Sequence, residues 1–260
     1  MRYLSPLILL LLPTFASAQT SVAPPMLKVG NVEQAPSASL GDAFYLTERR
    51  TTLYRDPDST RPTGFLPFRS DVTWLAQEGG WAHVRATDGS EGYVAASAMS
   101  NVWVRISKQH KRLYLYQGAE LVRTFPADFG YNPAADKQKR GSSIDPDAWR
   151  TPEGAFTVVR LHPTSTFYRA FVLNYPTTED AMRGLAEGLI SKSEHDAIAR
   201  AEANHNEPPM HTALGGMIEI HGRGSGRGGN WTQGCVALTD AAMDYLWTRI
   251  RPGTPVLIEP

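Results

Sequence analysis

One cysteine stands in 260 residues. That scarcity excludes an internal disulfide framework and a cysteine-rich zinc site. Net charge is missing too, since 26 Lys and Arg balance 26 Asp and Glu. A nucleic-acid partner is therefore not expected, because such a face carries a basic excess. Beyond the N-terminal segment no run is long and apolar enough to cross a bilayer as a helix, so no transmembrane anchor is expected. No internal repeat is visible. What remains is 42% hydrophobic and 10% aromatic, too apolar for a disordered chain. The length suits one large or two small domains.

The first residues read as an address. Arg2 supplies a positive start, Leu4 to Leu12 an apolar run broken by Ser5 and Pro6, and Ala16-Ser17-Ala18 an A-x-A cleavage site. This pattern predicts a signal peptide over 1–18 and an exported, periplasmic or cell-envelope protein. No cysteine follows the cleavage site, so a lipoprotein anchor is excluded. Residues 19–44, with Pro24-Pro25 and Pro36, read as a linker.

Two β-rich segments follow. Over 45–99, turn signals at Asp56-Pro57-Asp58, Gly79-Gly80 and Asp88-Gly89 cut short apolar-polar runs. This spacing predicts a small β-barrel, with Trp74 and Trp81 as core filling. Over 101–260 the pattern is mainly β with a few helices. Strands are expected at 102–106, 113–116, 155–161, 168–174, 216–221 and 256–258. Lys108 to Lys111 reads as a solvated hairpin tip. One helix is expected from a Thr178 cap through Leu189, and another from the Ser191-x-x-Glu194 capping box to Ala203. The last helix starts near Thr239-Asp240, and Pro252-Gly253 stops it.

The chemistry gathers near the C-terminus. His221-Gly222 ends a predicted strand, and a loop with five glycines, Gly222 included, leads to Thr232-Gln233-Gly234-Cys235. A thiol attacks as thiolate, and an imidazole beside it lowers its pKa by taking the proton. A helix starting just after the thiol would add a favourable field. The backbone N–H groups of Gly234 and Cys235 would serve a developing oxyanion. Taken singly, Cys235 also suits a buried small hydrophobe and His221 a structural ring. Together they supply a nucleophile, a base and oxyanion donors.

Ile220-His221-Gly222 followed by Thr232-Gln233-Gly234-Cys235-Val236 resembles the L,D-transpeptidase (YkuD-like) catalytic domain. Thr151-Pro152-Glu153-Gly154 is similar to that family's Thr-Pro-x-Gly turn, and the resemblance covers 101–260. It implies a YkuD-like β-sandwich after the small barrel. It implies Cys235 as the acylated thiol, His221 as its base, the Gly222 carbonyl as the third member, and Thr232 bordering the nucleophile. It implies action on peptidoglycan stem peptides through an acyl-thioester that water or an amine resolves, without metal or organic cofactor. Thr51-Thr52-Leu53-Tyr54, Gly80-Trp81 and Gly92-Tyr93-Val94 resemble the bacterial SH3 domain, giving an SH3-like domain at 45–99.

One departure is Ala237, where many family members carry Arg or Asn. Val236 to Asp240 is more similar to a branch associated with hydrolysis, which implies wall-linked lipoprotein as a further partner. Arg223 and Arg227 are the candidates to replace the missing charge, and Trp231 is a third candidate for substrate contact. An NlpC/P60-like peptidase would place Cys before His, the reverse of the order here. A non-catalytic peptidoglycan-binding protein on an enzyme-like fold is the remaining alternative.

Overall fold

The structure is a computed structural model that describes residues 43–260. The expected signal peptide and all but the end of the expected linker lie outside the described residues. Ala43 and Phe44, assigned to the linker from sequence, instead open the first strand.

The first sheet contains β1 (Ala43–Leu46), β2 (Arg50–Tyr54), β3 (Pro62–Pro67), β4 (Asp71–Glu78), β5 (Trp81–Ala86), β6 (Glu91–Ala95) and β7 (Met99–Ser100). Their order is β3-β2-β6-β5-β4-β1-β7. Alternation along these strands sends Leu46, Leu53, Leu66, Val72, Val84 and Val94 into one core. Trp74 packs against that core and meets Phe44 edge-on, as the sequence reading expects. Trp81 is half-buried and sits edge-on to Tyr54.

The larger sheet uses β8 (Val102–Ser107), β9 (Arg112–Gln117) and β10 (Glu120–Pro126), then β12 (Gly154–Ser165) and β13 (Tyr168–Leu173). It adds β14 (Glu219–His221), β16 (Val236–Ala237) and β17 (Pro255–Glu259), in the order β10-β9-β8-β17-β12-β13-β14-β16. β11 (Phe129–Gly130) and β15 (Asn230–Thr232) form a short parallel pair beside it. The fold is mainly β, as the periodicity and turn signals predict.

Three helices complete it: α1 (Thr178–Ala186), α2 (Lys192–Ala203) and α3 (Asp240–Trp247). Thr177, not Thr178, caps α1, through a reciprocal box with Asp180. The reading placed this cap one residue late because adjacent threonines are equivalent in sequence. The Ser191–Glu194 box opens α2 as expected. Met243, Leu246 and Ile250 carry α3 and the turn after it into the main core with Phe171 and Ile220.

The two sheets meet along a polar seam. Buried Tyr45 donates to the Val102 carbonyl at 2.7 Å, and Arg69 donates to the Thr157 hydroxyl. Phe68 and His205 stack edge-on at 5.3 Å across it. A cavity of about 610 Å³ lies here, lined by Tyr45, Arg69, Trp103 and Thr157. The lining of this cavity does not include Cys235 or His221. No helix among the described residues is long and apolar enough to cross a membrane.

Candidate active site

β14 and β16 run parallel, with Ile220 opposite Val236 and His221 opposite Ala237. One step back along both chains, Cys235 is level with Glu219. The pairing thus brings the histidine and the thiol to one place although fourteen positions separate them. β14 is shorter than the strand predicted over 216–221. Gly215 and Met217 both take positive φ, which breaks the extended backbone before Glu219.

His221 is 2% exposed. Its Nδ1 lies 2.7 Å from the Gly222 carbonyl oxygen. A carbonyl can only accept, so Nδ1 carries the proton and Nε2 keeps its lone pair. Phe167 stacks on the ring at 4.5 Å and Trp231 meets it edge-on at 6.2 Å. Burial holds the imidazole below its ordinary pKa, while the Gly222 carbonyl and Asp128 pull the other way. A Cβ on Gly222 would come within 2.6 Å of the Asp240 carboxylate and 2.8 Å of the Phe167 carbonyl.

Cys235 is half-buried, and its Sγ donates to the Met217 carbonyl at 3.3 Å. Burial pushes its thiol up to about 12. The Glu219 N–H and the Lys137 ammonium work against that rise, and the Glu219 carboxylate adds to it. The resting pair is therefore a neutral thiol beside a neutral imidazole. This corrects the expectation of a preformed thiolate, and a second finding explains why. No helix begins after Cys235, because β16 intervenes and α3 starts only at Asp240. The expected helix-terminus field is absent from the thiol.

Gly234 takes φ +133, and a Cβ there would lie 2.7 Å from the Arg150 carbonyl and 3.0 Å from Ile218. The Thr-Pro-Glu-Gly segment thus begins beside the wall against which the Gly234-Cys235 turn is pressed. Thr232 donates to the Cys235 carbonyl at 2.6 Å and accepts from the Gly234 N–H at 3.2 Å. It ties down both sides of the turn. It also engages one of the two N–H groups expected to serve an oxyanion, which leaves that of Cys235.

Sequence reasoning missed Asp128. This fully buried carboxylate accepts from the Ser225 hydroxyl at 2.7 Å, the Gly229 N–H at 2.6 Å and Trp231 Nε1 at 2.8 Å. Its backbone exchanges two hydrogen bonds with Ala237. Burial works to raise its pKa, but the bonds from Trp231, Ser225 and Gly229 outweigh it and hold the carboxyl below its usual range. A lone Asp in Ala-Asp-Phe-Gly carries no motif that announces this role.

The basic turn was also misread in part. Lys108 is 3% exposed, paired with Glu153 at 2.5 Å and donating to the Ala135 carbonyl. Lys111 reaches the Gly228 carbonyl at 2.7 Å. Gln109 and His110 form the predicted exposed tip, while the two lysines that flank them brace the Thr-Pro-Glu-Gly segment and the glycine loop.

A cleft of about 540 Å³ joins Cys235 and His221, with Phe167, Trp231, Glu219 and Lys137 in its lining. Arg223 and Arg227 are exposed and do not line it, whereas Lys137 and Arg140 do. Lys137 is 2% exposed, and burial lowers its pKa to about 8. Among the described residues no group of three His, Cys, Asp or Glu could hold a metal ion.

These features define a single-cysteine site with a buried histidine at adjacent parallel strands. The L,D-transpeptidase catalytic domain family (YkuD) matches residues 101–258, and the chain belongs to that family. No curated protein matches the chain. Among solved structures, the L,D-transpeptidase (residues 123–326) of Xylanimonas cellulosilytica is 19% identical at a TM-score of 0.35, over 62% of this chain and 61% of that one. Bdellovibrio bacteriovorus Bd1075 is 21% identical at 0.38, over 63% and 49%. The L,D-transpeptidase of Mycobacterium smegmatis is 14% identical at 0.36, over 80% and 77%. The chain thus spans less than two thirds of the first two. The family match, not these likenesses, defines the class.

Proposed function

We propose that the chain is an exported cysteine enzyme acting on peptidoglycan stem peptides through an acyl-thioester on Cys235. The observation that carries this reading is the one cleft lined both by the chain's one thiol and by His221, whose tautomer the Gly222 carbonyl fixes. His221 Nε2 takes the thiol proton as Sγ attacks the amide carbonyl of a diaminopimelate residue. The Cys235 N–H stabilises the oxyanion. The C–N bond breaks, and the imidazolium returns its proton to the leaving amine. Water or an amine then attacks the thioester, giving hydrolysis or transpeptidation, and the thiol regains its proton.

Water is the favoured acceptor. Ala237 is 1% exposed and its backbone is bridged to Asp128, so that position offers no side chain to hold a second stem. A poorly held amine competes badly with water. Wall-linked lipoprotein is then a candidate leaving group beside stem peptides. The region 43–100 is proposed to be an SH3-like targeting module for the wall. Incubation with sacculi in oxygen-18 water tests the reading by mass spectrometry. Label in released carboxylates supports hydrolysis. Unlabelled new cross-links reassign the acceptor, and the absence of any product with Cys235 left unacylated returns the chain to the binding-protein alternative.

A further inference from the structure

Glu219 has no task in the steps above, yet it sits in the cleft. It lies two residues before His221 on β14, so both side chains leave the same face of the strand. It is 6% exposed, and its Oε1 has no hydrogen-bond partner among the described residues. Its cross-strand neighbour is Val172, which has no side-chain donor. Arg160, one strand further, is committed to Glu207. His162 Nδ1 stands 3.5 Å away, long for a hydrogen bond, and is itself without a partner. A buried carboxylate oxygen whose nearest donor is this distant is costly, and folded proteins rarely leave one so. The missing donor can come from outside, because the cleft that Glu219 lines also reaches Cys235.

We propose that Glu219 is a specificity-determining residue that receives a primary ammonium group of the substrate beside the Cys235 thiol. The inference rests on the stem-peptide reading above and names the charged group that the cleft selects. Burial raises the Glu219 pKa, and an arriving ammonium offsets that cost. It also neutralises a carboxylate that adds to the burial which holds the thiol proton, so the correct substrate eases thiolate formation. Lys137, at the same cleft, repels a cation and keeps the ammonium on the Glu219 side.

Two sources carry this chemistry: the free amine of the donor stem's diamino residue, and the acceptor amine of a second stem. The test uses donor tetrapeptides whose third residue bears either a free or an N-acetylated side-chain amine. Release of the fourth residue reports acylation, and added free amino acid reports resolution by an amine. The wild-type enzyme is expected to favour the free amine about ten- to a hundredfold in kcat/KM, the range of one charge-assisted contact. Glu219→Gln is expected to erase that preference while Cys235 still reacts with iodoacetamide. A preference seen only when an amine resolves the thioester assigns the ammonium to the acceptor, and one seen in acylation assigns it to the donor. Equal handling of both donors by the wild type, in acylation and in resolution by an amine alike, overturns the proposal, and this arm stands even if the variant does not fold. Equal loss on both donors in Glu219→Gln also overturns it, leaving Glu219 a structural partner of His162. Failure of the wild type to process either donor is a different result, and sinks the stem-peptide reading itself.

Discussion

At Cys235, burial outweighs the neighbours that favour a thiolate, so the sulfur rests as a thiol. Alkylation by iodoacetamide at pH 7 is therefore expected to be slower than for a free cysteine, rising only well above pH 9. A fast, pH-independent reaction near neutrality would show a preformed ion pair instead. His221 carries the complementary expectation. Its pKa lies below the ordinary histidine value, so it stays a competent base at acidities where a solvent-exposed ring is already protonated. The acid limb of kcat/KM is expected below pH 6.5. The same shift has a sign for stability. On acidification through about 6.5 the unfolded chain binds a proton that the buried ring resists, so folding free energy falls. His221→Ala is expected to lower turnover ~10²–10⁴-fold with the fold retained. Activity within threefold of wild type would assign proton transfer elsewhere.

Elements place these residues more than local sequence does. β14 and β16 hold the pair in register, and Asp128 pins the glycine loop that joins them. Asp128→Ala leaves the Gly229 N–H and the Trp231 indole N–H without their acceptor. A loss of about 2–4 kcal/mol in urea unfolding is expected, with turnover falling as the loop loosens. The carboxyl's lowered pKa means its contribution is present above the usual aspartate value and is lost as pH falls through the lower folded one. Hydrogen exchange confined to 222–231 would report this opening directly. These two cases show what was legible. The Ser191 box, the β periodicity and the His-Gly and Gly-Cys pairs announce themselves because their signals are local. The Asp128 clamp, the buried Lys108–Glu153 pair and the strand after Cys235 depend on chain segments that meet only in the fold. A charged turn reads as solvated until the loop that covers it is known.

Over the whole molecule, the two sheets are joined through side chains on both sides of the Ser100–Val102 junction. Tyr45 bonds into the second sheet at Val102 and Thr254, and Arg69 at Thr157. A chain beginning at Val102 should therefore keep the cleft, whose lining comes from residues after 136, but should melt at lower temperature. Iodoacetamide labelling of Cys235 and a thermal scan check both points. If this shorter chain folds and cannot be acylated, the first sheet helps to build the site. The guarded sulfur has a consequence for endurance. Oxidants such as peroxide act on thiolates far faster than on thiols, and over-oxidation to sulfinic acid is not reversed outside the cell's repair systems. A sulfur that keeps its proton at rest is spent far more slowly by such oxidants than a standing thiolate would be. With no second cysteine in the sequence, it also has no internal partner to be trapped by.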